Sequence, residues 1–149
     1  MIYNNLKLSN QICFPLYACS RIVVKLYKPF LDPLGLTYTQ YITLMALWEE
    51  DSVSVKSLGN ILFLDSGTLT PLLKKLETQG FVKRNRSQID ERSVLINLTK
   101  KGLELKDKAA DIPLKMASCI DIPQNDAIEL HRILNQIMSN ENNLKCKYM

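Results

Sequence analysis

LDSGTLTPLLKKLETQGFVKRNRSQIDERSVLINL occupies residues Leu64 to Leu98 and carries the strongest fold signal in the chain. Its first part predicts a helix from about Ser66 to Gln79, ended by Gly80 at the position where left-handed residues are common. The following residues alternate between apolar and polar from Phe81 to Arg86 and again from Ser93 to Leu98, as paired strands do. A helix followed at once by a hairpin with a charged tip is typical of a winged helix-turn-helix.

Two helices are predicted immediately upstream of this stretch. TYTQYITLMALWEE, from Thr37 to Glu50, indicates one helix, with Thr37 as its N-cap and Gln40 in the capping-box position. Ser54 then caps a short helix from Val55 to Leu62. The break that follows this short helix supplies the tight turn of a helix-turn-helix.

A longer amphipathic helix is predicted near the N-terminus. Apolar residues recur at helical spacing from about Ser9 to Leu31, and Pro29 and Pro33 mark the end of the run. Pro15 lies within the run and lacks the amide hydrogen that a helix interior needs. We therefore expect this helix either to kink at Pro15 or to begin near it.

Two further helices are predicted downstream of the hairpin. Thr99 caps the first, KKGLELKDKAADI, which Pro113 interrupts or ends. The second follows Pro123, and the polar tail from Asn140 is expected to fray. The apolar faces of these outer helices are too long for the winged module alone to bury, so they predict a dimerisation layer.

The expected fold is mainly α with a small β-hairpin wing (α+β). We expect a single domain over 1–149, with the winged helix-turn-helix at about 37–99 and dimerisation helices at about 9–31 and 100–142. Its hydrophobic content of 46% and charged content of 23% are those of a globular protein. No apolar run approaches the roughly 20 residues of a membrane span, and no signal peptide is evident. The cytoplasm is the expected location, with no membrane partner.

Positive charge is concentrated in one segment of the chain. The net charge is +4, yet the segment between Lys74 and Lys108 contains ten basic residues and only five acidic ones. Such a segment suits a polyanionic partner, here double-stranded DNA, although a solvated helix face remains the alternative.

The predicted recognition helix and wing supply the candidate DNA contacts. A helix in the major groove reads bases with its N-terminal residues, and guanidinium groups favour the narrow minor groove. Arg92 at the hairpin tip is the candidate for the minor groove, with Asp90 positioned to hold it. The other candidates for base or phosphate contacts are Ser66, Thr68, Thr70, Lys74, Lys75, Arg84 and Arg86. For each of them an ordinary helix cap or a solvated turn is the competing interpretation.

The cysteine pattern argues against a metal site. Cys13, Cys19, Cys119 and Cys146 form no CxxC pair, and His131 is the only histidine. We expect no metal and no cofactor, and free thiols in a reducing compartment. No catalytic motif is evident, so the chain is expected not to be an enzyme.

Several motifs together resemble one family. They are NQICF at Asn10–Phe14, LTYTQY at Leu36–Tyr41, LWEE at Leu47–Glu50, LDSGTLTPLLKKLE at Leu64–Glu77 and DERSVLINLT at Asp90–Thr99. Over about Leu8 to Leu134 the chain resembles the MarR family of winged-helix regulators. Within that family it is similar to the organic-hydroperoxide-sensing (OhrR) group and its staphylococcal-type relatives.

The resemblance implies a homodimeric repressor that binds a pseudo-palindromic operator when reduced. Cys13 matches the peroxidatic cysteine of the group, which an organic hydroperoxide oxidises to a sulfenic acid. Tyr27 and Tyr38 match two tyrosines that reach from the other subunit to hydrogen-bond the thiolate, and Tyr17 belongs to the same aromatic neighbourhood. Pro15 departs from the family pattern and leaves the local geometry at Cys13 open.

Some alternatives stay open from the sequence. The resemblance implies that Cys119, expected in a loop between Pro113 and Pro123, resolves oxidised Cys13 from the other subunit, although a small external thiol is the alternative. A regulator responding to a small aromatic effector and a redox-switched global regulator share the same fold. A thiol peroxidase is a further alternative, with only the lone cysteine to favour it.

Overall fold

The computed structural model of the protein describes residues 3–86 and 93–139. Seven α-helices and three β-strands lie within these ranges. The helices are α1 Cys13–Leu31, α2 Tyr38–Glu49, α3 Val55–Leu62, α4 Ser66–Thr78, α5 Lys100–Ala109, α6 Ile112–Ile120 and α7 Gln124–Ser139. The strands are β1 Val53–Ser54, β2 Val82–Arg86 and β3 Val94–Leu98. The order confirms the predicted winged helix-turn-helix.

Side-chain caps fix the starts of the helices in the winged module. Thr37 forms a reciprocal capping box with Gln40 at the start of α2. Ser54 accepts a hydrogen bond from the amide of Ser57, and Thr99 accepts one from the amide of Gly102. The predicted caps at Thr37, Ser54 and Thr99 are confirmed, which explains why these helix starts were readable from the sequence.

The wing belongs to a three-stranded antiparallel sheet with the strand order β1-β3-β2. In the hairpin, Val82 pairs with Leu98 and Arg86 pairs with Val94. Strand β1 adds the pair Val53–Ile96. The sequence analysis predicted only the two long strands, because two residues are too few to show a period.

One apolar core holds the winged module together. It lies beneath α2, α3 and α4 and against the inner face of the sheet, with Leu58, Leu69 and Ile96 fully buried. On α4 the buried side chains recur at Leu69, Leu73 and Leu76, which leaves the opposite face of this helix exposed.

Two of the outer helices carry a proline in their first turn. Helix α1 begins at Cys13, so Pro15 lies in its first turn, where no intrahelical hydrogen bond is lost. The alternative in which the helix begins near Pro15 is therefore confirmed. Pro113 likewise lies in the first turn of α6. The expectation of a loop at Cys119 was wrong, because this residue lies within α6.

The chain divides into two compact units, residues 1–116 and 117–149. In the second unit α7 buries none of its residues. Its exposed apolar side chains include Ile128, Leu130, Ile133, Leu134 and Ile137. Across the described ranges, no helix has the length and apolar character that crossing a membrane requires.

Candidate functional site

The exposed face of α4 begins with a tightly built cap. Asp65 accepts one hydrogen bond from the amide of Thr68 at 2.9 Å and another from its hydroxyl at 3.0 Å. These bonds lower the pKa of the Asp65 carboxyl below its ordinary value. The hydroxyl of Thr68 donates within the cap, so its oxygen remains only an acceptor for a ligand. Gly67 fits beside this cap, since an added Cβ would lie 3.0 Å from Asp65 Oδ1.

Three predicted contact residues lie on one stripe of α4. Ser66, Thr70 and Lys74 are exposed and follow one another at intervals of four residues, the spacing that places side chains on one helix face. Lys75 is exposed beside this stripe. The arrangement presents two hydroxyls followed by ammonium groups to one side of the helix.

The arginines of β2 differ in their surroundings. Arg84 forms an ion pair with Glu77, with Nε 2.7 Å from Oε2, and its backbone amide donates to Oε1 at 3.2 Å. Arg86 is exposed at the end of the strand. The predicted contacts Asp90 and Arg92 lie outside the described residues.

A cleft of about 560 Å³ connects these elements. Its wall includes Ser66 and Thr70 of α4 and Arg84 of β2, and it also includes Lys56 and Asn60 of α3. The sequence analysis missed Lys56 and Asn60. Their spacing of four residues on an exposed face of a short helix was the available signal.

Cys13 is the first residue of α1 and is exposed to solvent. Its apolar neighbours Ile12, Phe14 and Leu16 are exposed as well. Tyr17, one turn further along, accepts a hydrogen bond on its hydroxyl from Arg21 at 2.7 Å, and the guanidinium lies 5.5 Å from the ring centroid. The thiol therefore lies on an open, largely apolar surface at the N-terminus of a long helix.

Tyr27 and Tyr38 form a partly buried aromatic pair. Their ring centroids are 4.9 Å apart, and the ring of Tyr41 lies 5.8 Å from that of Tyr27. Burial raises the pKa of Tyr27 and of Tyr38 above the ordinary value, and the neighbouring Tyr38 adds to the effect at Tyr27. Both phenols consequently stay protonated and act as hydrogen-bond donors at neutral pH.

Within one chain the thiol and the tyrosine pair do not meet. Cys13 and Tyr27 are fourteen residues apart on α1, which corresponds to about 21 Å of helical rise. The two parts can come together only if the tyrosines belong to a second copy of the chain.

Two of the other cysteines occupy helices, and Cys146 lies outside the described residues. Cys19 is exposed on α1, and Cys119 is exposed on α6. In the described part of the chain, no group of three or more His, Cys, Asp or Glu residues could hold a metal ion.

Sequence comparisons point to transcriptional regulators. The family model described as transcriptional regulator SarA/Rot matches residues 25–109. The organic hydroperoxide resistance transcriptional regulator of Bacillus subtilis is 57% identical over 111 residues, covering 74% of this chain and 76% of that protein. The HTH-type transcriptional regulator SarZ of Staphylococcus aureus is 41% identical over 139 residues, covering 93% of this chain and 94% of that protein.

A solved structure is similar along almost the whole chain. It is reduced AbfR bound to DNA, with a TM-score of 0.77 and 36% sequence identity over 94% of this chain and 98% of that one. AbfR, a protein of Staphylococcus epidermidis, has also been solved in an overoxidised form bound to DNA and in a disulfide-formed state.

Proposed function

This chain belongs to the SarA/Rot family of MarR-type winged-helix transcriptional regulators, and from that premise we propose that it is a redox-controlled repressor. In this proposal a reduced homodimer binds a pseudo-palindromic operator on double-stranded DNA. Oxidation of Cys13 by an organic hydroperoxide then releases the operator. Such a regulator works in the cytoplasm, where the chromosome lies.

The placement of Cys13 relative to the Tyr27–Tyr38 pair is the observation that carries the proposal. The thiol is exposed at a helix N-terminus, and the pair presents two protonated phenols elsewhere on the same subunit. A helix N-terminus and phenol donors both stabilise a thiolate. The separation along α1 supports a centre shared between two subunits.

The redox step needs only the hydroperoxide as co-reactant. The Cys13 thiolate attacks the distal peroxide oxygen, an S–O bond forms, and the O–O bond breaks. The alcohol leaves after its alkoxide takes up a proton, and the sulfur becomes a sulfenic acid. The exposed apolar side chains of Ile12, Phe14 and Leu16 favour organic peroxides over hydrogen peroxide.

Operator binding is assigned to α4 and the wing. A major groove admits one α-helix, and Ser66, Thr70 and Lys74 form an exposed stripe along α4. Arg86 lies at the base of the wing, close in sequence to Arg92, the candidate for the minor groove. That AbfR, a relative of the same fold, has been solved bound to DNA supports DNA as the partner.

The test compares operator binding before and after oxidation. The parent, Cys13→Ser and Cys19→Ser are titrated onto a labelled fragment of the protein's own promoter region, reduced or treated with cumene hydroperoxide. Cys19→Ser is the matched control, because it removes another exposed cysteine from the same helix. We expect all three reduced proteins to bind, and only Cys13→Ser to stay bound after treatment. Release of Cys13→Ser by peroxide to the same extent as the parent would refute the proposal.

A second function is favoured by a cleft beside Tyr38. This cleft of about 470 Å³ lies between α1 and the start of α2 and is lined by Arg21, Lys25 and Lys28 as well as Tyr38. The carboxylate of Asp32 also lines the cleft, and the excess of positive charge that remains beside an aromatic ring suits a small aromatic anion. Release of reduced Cys13→Ser protein from the operator by an aromatic carboxylate such as benzoate supports this function, and retention on DNA contradicts it.

Like its relatives, the chain is a transcriptional regulator and not an enzyme. The thiol peroxidase alternative is therefore set aside. A redox-switched global regulator shares the same fold and remains compatible with the proposal.

A further inference from the structure

Gln79 lies directly after α4 and hydrogen-bonds to two other parts of the chain. Its side-chain Nε2 donates to the carbonyl of Gly35 at 2.8 Å. Its Oε1 accepts from Nε2 of Gln40 at 3.2 Å. The single amide group thus joins the end of α4 to the turn after α1 and to the first turn of α2.

Gln40 is almost completely buried, with 2% of its surface exposed. Its Oε1 accepts from the amide of Thr37 at 2.9 Å, which completes the capping box of α2. The other polar atom of its side chain, Nε2, donates to Oε1 of Gln79. Because a buried amide is costly to leave unpaired, the Gln40–Gln79 bond resists breaking.

Tyr38 is the first residue of the same helical turn. It stands between Thr37, the N-cap, and Gln40, so the Thr37–Gln40 capping box fixes the backbone on both sides of it. Gly35, the other partner of Gln79, closes the preceding turn with a φ of 67°. The first turn of α2 is therefore joined to the end of α4 by one side-chain hydrogen bond, from Gln40 to Gln79, and the turn before α2 is joined to it by a second, from Gln79 to Gly35.

The main chain of Gln79 is held from a third direction. Lys101 Nζ donates to the Gln79 carbonyl at 2.8 Å and lies 4.8 Å from the ring centroid of Phe81. Lys101 belongs to α5, so the residue after α4 is a junction of contacts from α1, α2 and α5. A shift of the first turn of α2 cannot leave this junction unchanged.

We propose that Gln79 is the positioning residue that couples Tyr38, one of the two phenols of the proposed redox centre, to the recognition helix α4. The inference rests on the proposed function. When the thiolate partner of Tyr38 is lost, the first turn of α2 relaxes, and the Gln40–Gln79–Gly35 bonds carry this displacement to α4. Without those bonds, oxidation and operator release become uncoupled.

The test uses Gln79→Met and Gln79→Glu in the full-length protein. Gln79→Met keeps a long side chain and removes both bonds, and it leaves the buried Nε2 of Gln40 without its partner. Gln79→Glu keeps an acceptor for Gln40 and removes only the donor to Gly35, so it is the second variant, in which the buried amide stays paired. Thr78→Ala is the matched control, because the Thr78 hydroxyl bonds only to the carbonyl of Lys74 within its own helix.

Two quantities are measured for each protein: the ratio of operator Kd after and before cumene hydroperoxide, and the rate of Cys13 oxidation by mass spectrometry. Coupling between two sites is typically worth about 5–150-fold in affinity. We expect peroxide to raise the operator Kd of Gln79→Met much less than it raises that of the parent. Cys13 of this variant should still oxidise at the parent's rate, and the reduced variant should bind DNA normally. Gln79→Glu should fall between the two, and Thr78→Ala should match the parent.

The outcomes separate this inference from the proposed function. A parent that is released by peroxide, together with Gln79 variants that show the same ratio, overturns the coupling role alone. A parent that peroxide does not release overturns the proposed function and this inference with it.

Discussion

Glu77 of α4 binds Arg84 of β2 through both of its carboxylate oxygens, one to the side chain and one to the backbone amide. The contact joins the last turn of the recognition helix to the first strand of the wing. Their side chains are 36% and 32% exposed, respectively. Arg84 was predicted to contact phosphate, and this pair competes with that role.

The first prediction compares the two arginines of β2. Arg86→Ala should weaken operator binding and lower the dependence of log K on log salt concentration by about one, as loss of a phosphate contact does. Arg84→Ala should leave that slope nearly unchanged, because Glu77 holds the guanidinium. Fluorescence anisotropy at several salt concentrations measures both. Equal losses of slope would show that Arg84 leaves Glu77 to bind DNA.

In a double-mutant cycle on the free energy of unfolding, the Glu77–Arg84 pair should contribute no more than about 1 kcal/mol.

A second prediction concerns Arg92, which lies outside the described residues. If it enters a minor groove, Arg92→Ala should weaken operator binding by about 1–3 kcal/mol. Lys115→Ala, an exposed change on α6, is the control and should have little effect. Titration of the folded dimers onto the operator measures the difference. Unchanged affinity of Arg92→Ala would remove Arg92 from the interface.

The third prediction concerns the tyrosine pair. Since burial raises the pKa of Tyr38 above 10.0, the folded chain holds this proton more tightly than the unfolded chain does. The associated stability is complete below pH 10 and is lost as the pH rises through the folded pKa. Tyr38→Phe should therefore lose less stability than the parent between about pH 9 and pH 11, as measured by urea unfolding. The same variant should oxidise more slowly at Cys13, since one donor to the thiolate is gone. Oxidation at the parent's rate would detach Tyr38 from the redox centre.

A fourth prediction tests the packing of α5. An added Cβ at Gly102 would collide with the carbonyl oxygen of Phe81. Gly102→Ala should thus destabilise the fold by about 1–3 kcal/mol, whereas the exposed change Lys100→Ala should cost about 0.5 kcal/mol or less. Trp48 donates to the Gly102 carbonyl at 2.9 Å and is the single tryptophan, so its fluorescence reports the unfolding. An unchanged midpoint for Gly102→Ala would show that the helix can shift away from β2.

The fifth prediction concerns the fate of the sulfenic acid. We expect Cys119 of the partner subunit to resolve it as a Cys13–Cys119 disulfide, and the disulfide-formed state of the related AbfR is consistent with such chemistry. Stoichiometric peroxide should then give a covalent dimer on non-reducing gels, and Cys119→Ser should abolish it. A covalent dimer that persists in Cys119→Ser would assign the bond to another cysteine, and no covalent dimer in the parent would leave capping by an external thiol.

Local chemistry made much of the winged module predictable. The caps at Thr37, Ser54 and Thr99 and the stop at Gly80 each act within a few residues, so the sequence displays them directly. The candidate DNA contacts on α4 followed from their hydroxyl and ammonium groups and from the rule that the N-terminal residues of a recognition helix reach the bases.

Long-range contacts were not predictable in this way. Strand β1 forms only because Val53 meets Ile96 across the sheet, and Gln40 and Gln79 are 39 residues apart. The sequence gives no sign that Glu77 holds Arg84. Pro113 was predicted to interrupt or end the helix that follows Thr99; that helix ends at Ala109, and Pro113 lies in the first turn of α6, a position that suits proline.

Helix α1 carries Cys13 and Tyr27, and between them lie exposed apolar side chains such as Leu16 and Ile22. Because the proposed centre is shared between two copies, the residues that would join the subunits also set the reach from thiol to phenol. A substitution on the apolar face of this helix should therefore change peroxide sensitivity and subunit pairing together. Divergent relatives should show compensating substitutions there.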